Sequence, residues 1–229
     1  MFLMDPGGDD GGPAADTGSA MHKAIAMLHK GSTVAESLVI MQERIAEYPL
    51  ADLQDAAAMF LRYSVDPRNT NAEIVLIEEP VKFQIAPAPE DPTGEPIEVE
   101  GTLDQVRREH GKLRLWDPKS SKKDPMQLMF NHMYQLAGYC IGASFKLGET
   151  VHPGGLILTR MYEKNKNPHW QVAWTFDDIE QILDPLRHVV ALIRSGRPYH
   201  VPNENCTYCP QRSPDLCIHP LKVLRRGAN

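Results

Sequence analysis

The spacing of apolar residues changes several times along this sequence, and those changes limit the folds that it can adopt. From residue 20 to about residue 63 the apolar residues recur every three or four positions, which predicts helices with a break at Gly31-Ser32. Between 74 and 119 they alternate with polar residues, which predicts strands. Helical spacing returns after Asp124, a predicted cap. Helices and strands that alternate in this way predict an α/β fold.

The same spacing predicts where each element lies. In chain order we expect helices within 20–45 and at 51–63, followed by strands near 74–85, 97–108 and 112–119. A helix at 125–147 and a hairpin of 155–162 and 170–176 come next. We expect a last helix that begins at a cap formed by Asp177 or Asp178 and ends at Gly196.

The predicted organisation is one domain with two appendages. Residues 1–19 are rich in glycine, aspartate and proline and predict a flexible leader. A chain of 229 residues can bury one good core, which we expect within 20–196. Residues 197–229 then form a separate cysteine-containing segment.

Composition excludes some classes of protein. No stretch approaches the roughly 18 apolar residues of a membrane span, and the first residues lack the basic start and apolar run of a secretory signal. We therefore expect a cytoplasmic protein. The net charge of −6 argues against nucleic acid as a partner, although a basic run between Arg107 and Lys123 leaves room for a DNA-binding face.

The segment 98–125 contains the most informative charged residues. A two-residue turn at His110-Gly111 would place Asp104 opposite Asp117, with Lys119 on the same strand face as Asp117. Two carboxylates so close can hold a magnesium or manganese ion, and a lysine beside them suits phosphodiester hydrolysis. The alternative is an exposed hairpin whose charges face solvent, which is the commoner origin of a lone D-x-K string.

Four strings together resemble the motifs of one family. GTLD at 101–104 and WDPKSS at 116–121 are preceded by GSAMH at 18–22 and followed by QLAGY at 135–139. In this order they resemble the signatures of the RecB-like branch of the PD-(D/E)xK nuclease superfamily. The resemblance implies a restriction-endonuclease-like core, in which helices flank a central mixed sheet.

The resemblance also implies roles for individual residues. Asp104, Asp117 and Lys119 would be catalytic, and His22 would join Asp104 and Asp117 as a metal ligand. On the helix after the lysine strand, the family's glutamine and tyrosine position the nucleic acid, and these correspond to Gln135 and Tyr139.

Each of these assignments has a plainer alternative. His22 would otherwise be a capping or half-buried histidine, and Gln135 and Tyr139 the polar stripe of an amphipathic helix. Glu79 is a weak further candidate, because the Glu78-Glu79 pair makes the match to the family's first-strand glutamate ambiguous.

The function implied by the resemblance is that of a metal-dependent DNA nuclease. An exonuclease acting on linear or single-stranded DNA is expected, serving recombination, repair or CRISPR adaptation in a bacterial or phage-infected cell. Recombination, helicase or CRISPR-adaptation proteins would be its partners. The main alternative is a nucleic-acid-binding or assembly module without activity, and a third is a small zinc-binding interaction protein.

Three cysteines near the end of the sequence, Cys206, Cys209 and Cys217, have the spacing of a metal site. Several RecB-like nucleases bind a four-iron cluster with three such cysteines and a fourth before the histidine motif. No cysteine precedes His22 in this sequence, so that ligand is either lost or lies upstream of Met1. Zinc held with His219 or His200, or no metal, are the open alternatives.

Overall fold

The structure, a computed structural model, describes residues 13–46, 52–121, 124–160 and 168–196. Its elements are α1 (Pro13–His29), α2 (Val34–Ala46), α3 (Leu53–Val65), α4 (Pro67–Thr70), β1 (Glu73–Ile85), β2 (Ile97–Glu109), β3 (Lys112–Lys119), α5 (Pro125–Leu147), β4 (Val151–Leu158), β5 (His169–Gln171), a 3-10 turn (Phe176–Asp178) and α6 (Ile179–Arg194). No helix within these ranges is long and apolar enough to cross a membrane.

The five strands form one mixed sheet in the order β1-β2-β3-β4-β5. All neighbours are antiparallel except β3 and β4, which run parallel because α5 connects them. Leu115 belongs to the core under α5 and α6, whereas the next residue, Trp116, belongs to the core under α1, α2 and α3. Consecutive strand residues point to opposite faces, so helices cover both faces of the sheet. The predicted α/β fold with a flanked mixed sheet is confirmed.

The β2–β3 hairpin turns at the predicted residues. His110 and Gly111 both have positive φ, 50° and 75°, as a two-residue hairpin turn requires. The register pairs Glu109 with Lys112 and Gln105 with Trp116. The next positions across the hairpin are Asp104 and Asp117, as the sequence predicted.

Helix α5 begins and ends at residues that favour those positions. The Asp124 carboxylate accepts from the backbone N–H groups of Met126 and Gln127, and Pro125 occupies the first turn. Gly148 ends the helix in the left-handed conformation, with φ 64°. The predicted helix at 125–147 is therefore confirmed.

Other predicted boundaries differ from the structure. Helix α1 begins at Pro13, inside the segment predicted as a leader, and Thr17 is already buried there. Strand β5 stops at Gln171 rather than 176, and a reciprocal capping box of Thr175 and Asp178 starts a 3-10 turn at Phe176. The cysteines 206, 209 and 217 and their candidate histidine partners lie outside the described residues.

Candidate metal centre and active site

Ligand-type side chains from three elements meet beside the β2–β3 hairpin. His22 Nδ1 of α1 lies 2.7 Å from Asp104 Oδ1 of β2 and 3.7 Å from Glu78 Oε1 of β1. One ligand atom from each of these residues lies within 4.8 Å of the other two. An imidazole and two carboxylates at this spacing are a donor set for a divalent cation.

Asp117 and Lys119 stand next to this group. Lys119 Nζ lies 3.0 Å from Asp117 Oδ2, and the Asp117 side chain is only 2% exposed. Neither Asp117 oxygen has a hydrogen-bond partner of good geometry among the described residues, which leaves a buried carboxylate held by one ion pair. Such a carboxylate has unused acceptor capacity for a cation.

Glu78 enters the site through an unusual backbone conformation. Its φ is 49°, in the left-handed region that non-glycine residues seldom adopt. The β1–β2 register pairs Ile77 with Gln105 and Glu79 with Leu103, so Glu78 lies across from Asp104. Strain of this kind often accompanies functional sites, and here it places a carboxylate beside His22.

Glu79, the weak candidate of the sequence analysis, does not join the cluster. Its carboxylate lies 2.6 Å from Lys146 Nζ of α5. The sequence left the match to the Glu78-Glu79 pair ambiguous, and the structure brings Glu78, not Glu79, to His22 and Asp104. The strand pairing opposite Asp104 is the signal that identifies Glu78, and it requires the β1–β2 register.

Two motif glycines explain how the site is assembled. A Cβ on Gly18 would lie 2.9 Å from Ser120 Oγ, so glycine lets α1 approach the end of β3, and His22 follows one turn later. A Cβ on Gly101 would lie 2.8 Å from the Tyr139 ring. The small residue of β2 therefore makes room for an aromatic residue of α5.

Gln135 and Tyr139 lie at different depths. Gln135 lines the cleft above the metal group, and its Nε2 donates to the Tyr139 hydroxyl at 3.3 Å. Tyr139 is 1% exposed and packs against Gly101. Of the two predicted positioning residues, Gln135 is therefore the one that reaches the cleft, and Tyr139 supports it from behind.

The metal group opens into a cleft of about 850 Å³. One wall is formed by α1 and α2, which contribute Lys23 and Arg44, and Gln135 of α5 also lines the cleft. Lys119 and Ser120 lie at the end of β3. The cleft lining therefore combines basic residues with the acidic residues Glu43, Glu78 and Asp104.

The electrostatics of the site favour a cation. Burial raises the pKa of Asp117, and the Asp104 carboxylate adds to this rise, while Lys119 opposes it. Burial alone would lower the pKa of His22, but the Asp104 and Glu78 carboxylates raise it well above its ordinary value. Closely packed carboxylates that favour a bound proton also favour a bound divalent cation, which can replace that proton. The residues present therefore fit a metal site.

The family comparison matches residues 4–214 to the PD-(D/E)XK nuclease superfamily. The chain belongs to this superfamily. Its members are typically metal-dependent nucleases that use Mg²⁺ or Mn²⁺, in accord with the group formed by His22, Glu78 and Asp104. The RecB-like branch rests on the sequence motifs alone.

Several solved structures are also similar to this chain. The structure titled "Crystal structure of SSO0001" matches with 19% sequence identity and a TM-score of 0.41, over 83% of this chain and 80% of that chain. A similarity at this level supports no inference about function. Among curated proteins, none matches the sequence significantly.

Proposed function

We propose that this protein is a metal-dependent deoxyribonuclease that hydrolyses DNA phosphodiester bonds in the cleft above Asp104 and Asp117. The observation that carries the proposal is the convergence of His22, Glu78, Asp104, Asp117 and Lys119 from four elements on one open cleft. A purely structural cluster would bury its carboxylates against arginines or backbone donors, whereas Asp117 has the Lys119 ion pair but no hydrogen-bond partner of good geometry among the described residues.

We propose that His22, Glu78, Asp104 and Asp117 hold Mg²⁺ or Mn²⁺. When bound there, the ion polarises the scissile phosphate and lowers the pKa of a water molecule. Asp104 also holds the His22 imidazole at 2.7 Å, which fixes the orientation of the ring.

Lys119 carries the second part of the proposed chemistry. Its ammonium lies 3.0 Å from Asp117, and its side chain is 18% exposed and lines the cleft. In this position it can orient the attacking water and offset the negative charge that builds on the phosphate. Gln135 lies above it and positions the strand, with Tyr139 behind as its support.

We propose exonuclease action on linear or single-stranded DNA, in recombination, repair or CRISPR adaptation. The resemblance to RecB-like exonucleases supports action at free ends of DNA. The metal centre predicted for Cys206, Cys209 and Cys217 stays a prediction within this proposal.

The test is digestion of four DNA substrates: linear and circular, each single-stranded and double-stranded. We expect linear single strands to be degraded with Mg²⁺ or Mn²⁺ and to persist with chelator. Cleavage of circles as fast as of linear DNA would replace the exonuclease proposal with an endonuclease. Persistence of all four substrates with either metal, in protein shown by calorimetry to bind that metal, would favour the inactive DNA-binding module.

A further inference from the structure

A second cavity, of about 610 Å³, lies beside the turn end of the β2–β3 hairpin. It shares no lining residue with the metal cleft. The residues that matter for its chemistry are two arginines, two tryptophans, a histidine and one acid: Arg68, Arg107, Trp116, His169, Trp170 and Glu109.

Arg107 is a buried cation without a carboxylate partner in the described part of the chain. The side chain is 1% exposed, and its hydrogen-bond acceptors are the neutral atoms Gln105 Oε1 at 2.8 Å, Arg68 O at 3.0 Å and Asn69 Oδ1 at 2.9 Å. The Tyr63 hydroxyl completes this set at 3.3 Å. Neutral acceptors hold the guanidinium in place, and the Glu109 and Asp66 carboxylates act on its charge without an ion-pair contact, so burial still lowers the pKa of Arg107.

The acids near this cavity are already engaged. Asp66 lies 2.8 Å from Arg68 Nη2, and Glu109 lies 3.8 Å from Arg114 Nε. The pKa of His169 is lowered by burial and then by the charges of Arg68 and Arg107, as expected where the local potential is positive. The cavity therefore favours an anion.

The walls also offer flat aromatic surface. Trp116 lies under Arg107, with 5.6 Å from the guanidinium carbon to the ring centroid. Aromatic surface beside a fixed cation suits a ligand that carries both a ring and a negative charge.

We propose that this cavity binds a phosphate group attached to a nucleobase-bearing sugar, as in a nucleotide or a nucleic acid strand. Arg68, whose side chain is 52% exposed, reaches the phosphate from the mouth of the cavity, and Arg107 supplies the fixed charge at its floor. Trp170 provides a surface on which a base can stack. That the ligand belongs to a nucleic acid strand rests on the proposed function. That the cavity binds a phosphate group does not.

Tryptophan fluorescence tests the proposal directly, because two of the three tryptophans line the cavity. The Trp174→Phe protein retains only those two. It is titrated, in chelator so that no cleavage occurs, with inorganic phosphate, thymidine monophosphate and a short thymidine oligonucleotide. We expect saturable fluorescence changes with the nucleotide and the oligonucleotide. A response to the nucleotide alone would identify free nucleotides as the source, whereas the same affinity for inorganic phosphate would overturn the role given to the sugar and base.

Two arginine variants test whether nucleotide binding depends on this cavity or on nonspecific electrostatic attraction to the protein surface. Arg68→Gln should weaken nucleotide binding about tenfold or more, the loss expected for one charge-assisted hydrogen bond. Arg108→Gln, on the neighbouring strand position and paired with Glu149 outside the cavity, should bind as the wild type does. Equal affinities of these two variants, or no fluorescence change with any of the three ligands, would overturn the proposal. Because binding is measured in chelator, either outcome is independent of whether the protein cleaves DNA.

Discussion

Asp117 is the residue at which burial and charge conflict most strongly. Its carboxylate is removed from water, lies beside the Asp104 carboxylate and has Lys119 as its ion-pair partner. Burial of a charge with so few partners destabilises a fold. A bound divalent cation would remove this conflict, so metal binding and stability are coupled at this residue.

The first prediction is that Asp117→Asn stabilises the metal-free protein. The amide keeps the shape and removes the repulsion from Asp104, which should raise the melting temperature by roughly 2–4 °C in chelator, as about 1 kcal/mol does in a domain of this size. The additional rise in melting temperature on adding Mg²⁺ should be smaller in this variant than in the wild type. Thermal melts with and without Mg²⁺ measure both effects.

Asp91→Asn is the matched control for this substitution. The Asp91 carboxylate accepts from Thr93 at 2.7 Å and 2.9 Å and pairs with Arg194 at 2.9 Å, so its charge is fully used. Loss of this charge in Asp91→Asn should lower the melting temperature. If both variants are destabilised alike in chelator, the repulsion that we assign to Asp117 is absent.

The second prediction distinguishes the two adjacent glutamates. Glu78→Gln should weaken Mn²⁺ binding by at least about tenfold, since even residues one contact further from a metal contribute that much. Glu79→Gln should bind Mn²⁺ normally, because Glu79 pairs with Lys146. Calorimetric titration with Mn²⁺ measures both affinities, and equal affinities would exclude Glu78 from the metal group.

At the scale of elements, the close contact between β2 and α5 supports the cleft. Gly101 leaves the space that the Tyr139 ring occupies, and the Tyr139 hydroxyl accepts from Gln135 at the cleft wall. The position of Gln135 therefore depends on a glycine of the strand that carries Asp104.

The third prediction is that Gly101→Ala destabilises the protein by about 1–3 kcal/mol, the usual cost of overpacking a core. The double variant Gly101→Ala with Tyr139→Ala should lose less than the sum of the two single losses, because the clash disappears with the ring. Urea unfolding of the three variants gives the coupling energy. Additive losses would show that Gly101 and Tyr139 do not share this space.

Some elements could be predicted from the sequence because their signals are local. The turn at His110-Gly111 and the cap at Asp124 each lie within a few residues of the structure that they specify. The turn alone predicted that Asp104 lies opposite Asp117. The four family motifs added His22 and Gln135, both of which reach the cleft.

Other features depend on contacts between distant segments and could not be read in this way. The choice of Glu78 over Glu79 follows from the register of β1 against β2 and from a positive φ. The start of α1 at Pro13 follows from the packing of Thr17 and Gly18 in a segment of low apolar content. The Arg107 network combines α3, α4 and β2, and no motif marks it.

At the scale of the whole molecule, one buried polar network joins the helical layer to the sheet. Tyr63 of α3 contacts His29 of α1 at 2.7 Å and Arg107 of β2 at 3.3 Å, and Asn69 contacts His169 of β5 at 2.9 Å. The pKa values of His29 and His169 are both lowered to about 4, by burial first and then by arginine charge. The folded protein therefore keeps both imidazoles neutral.

The fourth prediction is a loss of stability in mild acid. In the unfolded chain these histidines bind protons below pH 6.5, whereas in the folded protein they do so only near pH 4. The free energy of unfolding that they contribute is complete above pH 6.5 and falls as the pH drops from 6.5 towards 4. Urea unfolding between pH 7 and about pH 5 should show this fall, and the double variant His29→Gln with His169→Gln should show a smaller one. If the free energy of unfolding of that variant falls with pH as steeply as that of the wild type, His29 and His169 are not the source of the acid sensitivity.

The central claim, that Asp104, Asp117 and Lys119 form a hydrolytic site, is tested most directly by the rate at which Lys119→Ala degrades linear DNA. Lys112→Ala is the matched control, because Lys112 lies at the opposite end of the same strand and is exposed. With the same concentration of Mg²⁺ or Mn²⁺, Lys119→Ala should cleave about 100-fold more slowly or worse, the usual loss when a residue that stabilises transition-state charge is removed. It should still bind the metal and remain folded, and Lys112→Ala should cleave at the wild-type rate. Cleavage by folded Lys119→Ala at close to the wild-type rate would contradict the claim.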